Sequence, residues 1–304
     1  MSLLLEMQGL ARSYEGRAAL CELSLSLEPG RTLGLIGPDG AGKTTAMRIA
    51  AGLLKPDGGW ARVAGHDCVS ERRQLRPLLG YMPQRFSLYP DLSVDENLRF
   101  FAELHGIPRD ERRRRRERLL AFSRLEPFVK RRAGALSGGM KQKLALACTL
   151  IHEPRLLILD EPTTGVDPVS RQEFWALLGE LARGGMGLWV STPYMDEALR
   201  CDHVQLLHLG RVIAQGPPAD IASAFPRSIL RVTGATPEVL RPLLADLHNV
   251  IIHRFGHDLH LVCDTGEQGP LLERIRAAGL EAAPADAGLE DAFFELVARA
   301  GEAA

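Results

Sequence analysis

The sequence predicts an α/β protein with a mostly parallel sheet covered by helices on both faces, followed by a smaller α+β unit. Three observations carry this. Short unbroken apolar runs, such as RTLGLIG at 31–37 and RLLILD at 155–160, read as strands buried on both faces. Helix-forming segments separate them, the alternation that builds parallel crossovers. After Pro217-Pro218 the texture changes to short alternating strands and two helical stretches.

Taken in order, residues 3–8 and 20–27 read as strands, the second alternating in CELSLSLE. RTLGLIG runs into a glycine-rich loop, and a helix is expected from Thr44 to Leu54, stopped by Lys55-Pro56-Asp57-Gly58-Gly59. Further strands fall at 60–64 and 78–82. From about Ser93 to Ile151 the chain reads as helical, with breaks at 106–108 and 133–139. A strand at 155–160 precedes a helix from Pro168 to Ala182, another strand leads to Pro193, and two more lie near 203–208 and 211–215. The division expected is a large domain over 1–225, with a helical subdomain over about 85–150, and a small α+β domain over 226–304.

Composition sets limits. The chain has 304 residues, 45% hydrophobic and 25% charged, with a formal net charge of −1. That balance offers no global field for nucleic acid, and no apolar run approaches the roughly 18–20 residues that span a bilayer. MSLLLEMQGL carries Glu6 and no basic region before its apolar residues, so no secretion signal is expected. The cysteines at 21, 68, 148, 201 and 263 are dispersed, which fits reduced thiols and no metal-site spacing. The one charge block is ERRRRRER at 111–118. It reads as a solvated helix face, or, more sharply, as a nucleic-acid or lipid-headgroup contact.

GPDGAGKT at 37–44 matches G-x-x-x-x-G-K-[ST], with a strand before it and a helix after it. Gly37, Gly40 and Gly42 let the backbone curl, so that N–H groups across Gly37, Pro38, Asp39, Gly40, Ala41 and Gly42 face phosphate oxygens. Pro38 contributes only its shape, having no N–H. The following helix offers its positive end to the same anion. Lys43 is expected to reach the β- and γ-phosphates of ATP, Thr44 to ligate Mg²⁺, and Thr45 to contact the α-phosphate. RLLILDEP then supplies the acids. Asp160 is expected to hold Mg²⁺ through its water shell, and Glu161 to polarise the attacking water.

A second phosphate cradle stands at LSGGMKQK, 136–143, where Ser137, Gly138 and Gly139 open another helix. One nucleotide does not normally use two such cradles from one subunit, but two subunits arranged head to tail can share them. At this point the sequence resembles the nucleotide-binding subunits of ABC transporters, over residues 3–220. The resemblance implies that Tyr14 stacks on adenine. It implies that Gln84, in GYMPQRFSLYPDLSVDENL, senses Mg²⁺ and water, and that Asp167 reaches across a dimer. The phrases LSGGMKQKLALACTLIHEP, STPYMDEALRCD and LEDAFFELV are similar to exporters of the ABC-2 multidrug class, especially the first ATPase half of tandem subunits.

One residue departs from the family pattern. A histidine normally contacts the γ-phosphate where this chain has Pro193, which donates no hydrogen bond from ring or backbone. The resemblance therefore implies an asymmetric pair. In it, this chain lends its SGG loop to a different ATPase subunit; a homodimer is the alternative. It further implies a membrane-spanning exporter subunit as partner, a cytoplasmic location on the inner face of the membrane, and no nucleic acid. Docking is expected at Phe86, Leu88, Tyr89 and Leu92. The rival readings are a soluble ABC-type ATPase acting on nucleic acid or ribosomes, and a nucleotide-binding regulator without turnover.

Overall fold

Three apolar runs, Thr32–Ile36, Leu156–Asp160 and Gly187–Thr192, are buried along their whole length. Only a strand covered on both faces accommodates such a run. The computed structural model describes residues 3–85, 88–247, 249–256 and 258–302. Within them the chain forms two compact units, Met1–Pro217 and Pro218–Ala304. The division falls before the expected 225/226 because Pro218–Ser223 is a short helix packed with Leu289–Glu302 of the second unit.

The strands of the first unit, in chain order, are β1 Leu5–Tyr14, β2 Arg17–Leu27, β3 Thr32–Ile36, β4 Gly58–Val63 and β5 His66–Asp67. There follow β6 Leu79–Met82, β7 Leu156–Asp160, β8 Gly187–Thr192, β9 His203–His208 and β10 Arg211–Gly216. They build an antiparallel sheet, β2-β1-β4-β5, and a six-stranded sheet, β10-β9-β3-β8-β7-β6, parallel except for the β9–β10 hairpin. Register matters here: Ile36 pairs with Thr192, and Asp160 with Ser191. The carboxyl ends of β3, β7 and β8 therefore finish side by side, the edge where parallel α/β sheets bind ligands.

β1 and β2 form one hairpin through Glu15 and Gly16, at φ 49° and 80°. Two consecutive positive φ values match a turn whose twist follows the strands. The expected helix 44–54 ends at Ala50, and Gly52 at φ 68° begins the turn toward Lys55-Pro56.

The helical region opens at Val94–Leu104, where Ser93 and Glu96 form a reciprocal capping box. Arg109–Ser123 follows and ends on Arg124 in the left-handed region, and Gly138–Leu150 closes the region. The second break is wider than expected, with tight turns at 126–128 and 133–135. Pro127, four residues past Ser123, explains it: having no N–H, it cannot bond the Ser123 carbonyl and so cannot continue the helix.

In the second unit, β11 Ser228–Thr233, β12 Ile251–Phe255, β13 Asp258–Cys263 and β14 Glu281–Ala285 pair as β12-β13-β11-β14, all antiparallel. The helical stretch 237–244 lies between β11 and β12, and Gln268–Ala277 between β13 and β14. This is the β-α-β-β-α-β arrangement. Its core joins Leu230, Val232, Leu259 and Leu261 of the sheet to Leu240, Leu271 and Ile275 of the helices.

No helix among the described residues is long and apolar enough to cross a membrane. All five cysteines are free, and four are buried.

Candidate nucleotide site

The loop after β3 is shaped by three glycines under different constraints. A Cβ on Gly37 would meet the Leu207 carbonyl at 2.3 Å, and one on Gly42 the Ala19 carbonyl at the same distance. Gly40 and Gly42 hold φ of 80° and 110°, open to glycine alone without strain. The loop feeds directly into the helix Lys43–Ala50.

Tyr14, Asp39, Gly40, Ala41, Gly42, Lys43, Thr44, Thr45, Gln84 and Glu161 line one open cleft at this sheet edge. Ala19 lines it too, a residue with no signal in the sequence beyond its place in the hairpin carrying Tyr14. Tyr14 is 43% exposed, with the Arg12 guanidinium 5.1 Å from its ring centre. Arg12 is itself fixed by Asp57 at 2.5 Å.

Beneath the cleft the acids are tightly held. Thr44 Oγ1 donates to Asp160 Oδ1 at 3.1 Å, and Ser191 Oγ donates to the same oxygen at 2.8 Å. Tyr81 donates to Oδ2 at 3.4 Å, its phenol pushed up to about 12 by burial and by the Asp160 charge. The backbone N–H of Glu161 donates to Ser191 Oγ at 3.0 Å, with φ at 49°. A non-glycine residue so placed is strained, and the Ser191 contact is what holds it. Its carboxylate receives Gln84 Nε2 at 3.0 Å and Thr164 Oγ1 at 3.3 Å on one oxygen, and faces Lys43 Nζ at 3.0 Å on the other. Lys43 also donates to the carbonyls of Gly37 and Pro38.

Ser137, Gly138, Gly139 and Asp167 do not line this cleft. Ser137 caps its own helix, accepting from Met140 N at 3.3 Å. Asp167 likewise caps Pro168–Arg183, accepting from Ser170 N at 2.9 Å, a bond that pulls its carboxyl below the usual range. Pro193 follows β8 as a bend and is also absent from the cleft. Behind it Glu197, fully buried, accepts Thr163 Oγ1 and Thr192 Oγ1, each at 2.6 Å. Sequence reading missed Ser191 and Glu197 as organisers. Asp160 and Thr163, which they hold, lie more than thirty residues away and meet them only through strand register.

A family model described as ABC transporter matches residues 20–164. The chain is also 36% identical over 305 residues to Nod factor export ATP-binding protein I of Ralstonia nicotianae, spanning 97% of this chain and 94% of that protein. The chain belongs to the ATP-binding proteins of ABC transporters. This cassette family binds and hydrolyses ATP. The cassette is 50% identical over 214 residues to the probable multidrug ABC transporter ATP-binding protein YbhF of Escherichia coli. That match covers 70% of the cassette chain but 37% of the relative's length. The ATP-binding cassette MJ0796, a dimer in a post-hydrolysis state with ADP and Pi, superposes with a TM-score of 0.63 at 25% identity. It covers 70% of this chain and 98% of its own.

The oxygen donors of the cleft fit a divalent cation. Thr44 and Asp160 bring a hydroxyl and a carboxylate together at the rim of the phosphate loop, hard oxygens suited to Mg²⁺.

Proposed function

We propose that this chain is the ATP-driven subunit of an exporter, docked on the cytoplasmic face of a separate membrane-spanning partner. It works as one half of a two-cassette sandwich. Its cleft takes MgATP, with Thr44 and Asp160 holding the metal, the 40–45 loop holding the phosphates, and Tyr14 against the base. Bound Mg²⁺ supplies positive charge on the phosphate oxygens. Glu161, aimed by Gln84, polarises water. Ser137 and Gly139 serve the partner's nucleotide, and Asp167 lies at the shared face. The names of the Ralstonia and E. coli relatives support export of a small compound.

One observation carries the asymmetric form of this reading: Glu161 keeps its full set of contacts while position 193 is a proline without a donor. Loss of one preorganised donor to the transition state costs about 10²–10³ in rate. The partner is therefore a different ATPase that keeps the histidine. ATPase rates of the chain alone, with a candidate partner cassette, and as Pro193→His test this. The chain alone should be slow, and Pro193→His should accelerate it by at least tenfold. A wild-type homodimer at full rate, unmoved by Pro193→His, would overturn the asymmetry.

The docking surface is proposed at Leu88, Tyr89 and Leu92; Phe86 lies outside the described residues. Tyr89 is 45% exposed, with its ring edge-on to Phe100 at 4.6 Å, so half of it is packing and half is surface. The arginine run gives the nucleic-acid alternative little support, since carboxylates neutralise much of it.

A further inference from the structure

ATP chemistry leaves the basic run on Arg109–Ser123 without a role, and the run divides between two sides of that helix. On one side Arg115 meets Glu111 at 2.5 Å and Glu153 at 3.1 Å, and Arg118 also pairs with Glu153. On the other, Arg109, Arg112, Arg113 and Arg116 follow the i, i+3, i+4, i+7 spacing of a single stripe. Together with Arg99 of Val94–Leu104 they line an open groove floored by buried Leu98 and Ala102. Its two carboxylates are already engaged: Asp95 with Arg116, and Glu103 with Arg112 at 2.8 Å. Arg99 is partly offset by Glu96, one turn earlier on its own helix. Arg109 and Arg113 make no ion pair among the described residues.

We propose that this groove binds the phosphate headgroups of anionic phospholipids. Guanidinium forks match phosphate oxygens in geometry and charge. Low-dielectric walls of one dominant sign focus the field on an anion in the cleft. The site is local, matched to one or two phosphates, and a chain of net charge −1 offers no long basic track for a polynucleotide. The inference rests on the proposed position at the inner membrane face. There the leaflet presents such phosphates, and each nearby arginine is worth roughly fivefold in binding.

The test is cosedimentation of the purified full chain, without nucleotide or membrane partner, with phosphatidylcholine vesicles lacking or containing phosphatidylglycerol. Binding is expected only to the anionic vesicles and should weaken as salt rises. Arg109→Glu with Arg113→Glu should reduce it by at least tenfold. Arg114→Glu with Arg124→Glu, the same charge change outside the groove, should spare most of it. Unchanged thermal melts establish that both variants fold. Equal binding to neutral vesicles, or equal loss in the two double variants, would overturn the proposal. Displacement by millimolar inorganic phosphate, beyond a chloride control of equal ionic strength, would reassign the site to free phosphate. Polyglutamate outcompeting the vesicles would reassign it to an acidic protein segment. Because neither ATP nor partner is present, a negative result leaves the transport reading standing. ATPase stimulation by a membrane partner tests that reading separately.

Discussion

Lys43 and Glu161 form a buried ion pair across the nucleotide cleft: Nζ lies 3.0 Å from Oε1, and the side chains are 4% and 6% exposed. The lysine proposed to hold phosphate thus neutralises the carboxylate proposed to polarise water. Phosphate oxygens entering the loop offer the ammonium a stronger set of acceptors. Its departure leaves Glu161 charged and held by Gln84 and Thr164 alone. On that proposal, one side chain would couple nucleotide arrival to activation of the base.

Lys43→Ala should therefore destabilise the nucleotide-free chain, because it strands a buried carboxylate. Breaking a buried pair costs about 3–5 kcal/mol, and the two remaining donors to Glu161 place the effect near the lower end. Adding Glu161→Gln removes the stranded charge and should restore much of the loss. Urea unfolding of the single and double variants checks both statements, and additive losses would contradict them.

Glu197 offers a second test. Its buried carboxylate takes hydroxyls from Thr163, past β7, and Thr192, at the end of β8. It therefore ties the segment after Glu161 to the segment before Pro193. Glu197→Ala leaves two buried hydroxyls unsatisfied, at about 1–3 kcal/mol each. It should lower kcat more than ATP affinity, since the phosphate loop lies elsewhere. Glu197→Gln keeps one acceptor oxygen and should fall between Ala and wild type in a melt and in turnover.

A histidine pair should write a pH dependence into stability. The rings of His105 and His152 stack with centres 3.9 Å apart and planes 4° apart. His152 Nε2 bonds the Leu79 carbonyl at 3.0 Å, and Nδ1 is buried without a partner. Burial first, then the neighbouring His105, holds the His152 imidazole down at about 4. An unfolded histidine takes its proton near 6.5. As pH falls from about 6.5 to 4, the unfolded chain therefore binds a proton the folded chain refuses, and stability declines by about 2 kcal/mol, allowing for a partly solvated ring. His152→Gln retains a donor for Leu79 and should flatten this slope, read from urea midpoints across the acidic range. An unchanged slope would place the titration elsewhere.

These cases mark where sequence reading reaches and where it stops. β3, β7 and β8 are legible because full burial leaves an unbroken apolar run, and the phosphate loop because its glycines answer steric demands visible in the spacing. β14, EAAPA, carries small residues and a proline that only a sheet edge tolerates, so it gave no strand signal. Ser191 and Glu197 looked like ordinary polar residues. Their importance arises from register between strands far apart in the chain. Asp167 was read only for a role across a dimer, while its contact within this chain is that of a helix cap.

Gly139 tests the shared-site reading most sharply. A Cβ there would lie 2.4 Å from both Cβ and Oγ of Ser170, on the first turn of the helix that Asp167 caps. Gly139→Ala therefore forces the two helix starts apart, displacing Ser137 and Asp167 together. ATP binding by the isolated chain should survive, because the P-loop cleft has no lining from this region. ATP-dependent pairing with a partner cassette, and the partner's hydrolysis, should fall by at least tenfold. Ser170→Gly in the same chain removes the clashing atoms. If it restores pairing, close approach of the two helices is what the partner requires. If pairing is lost regardless while nucleotide affinity holds, the bare backbone at 139 is itself the contact. Retained pairing in Gly139→Ala alone, measured by ATP-dependent crosslinking, would contradict the sandwich.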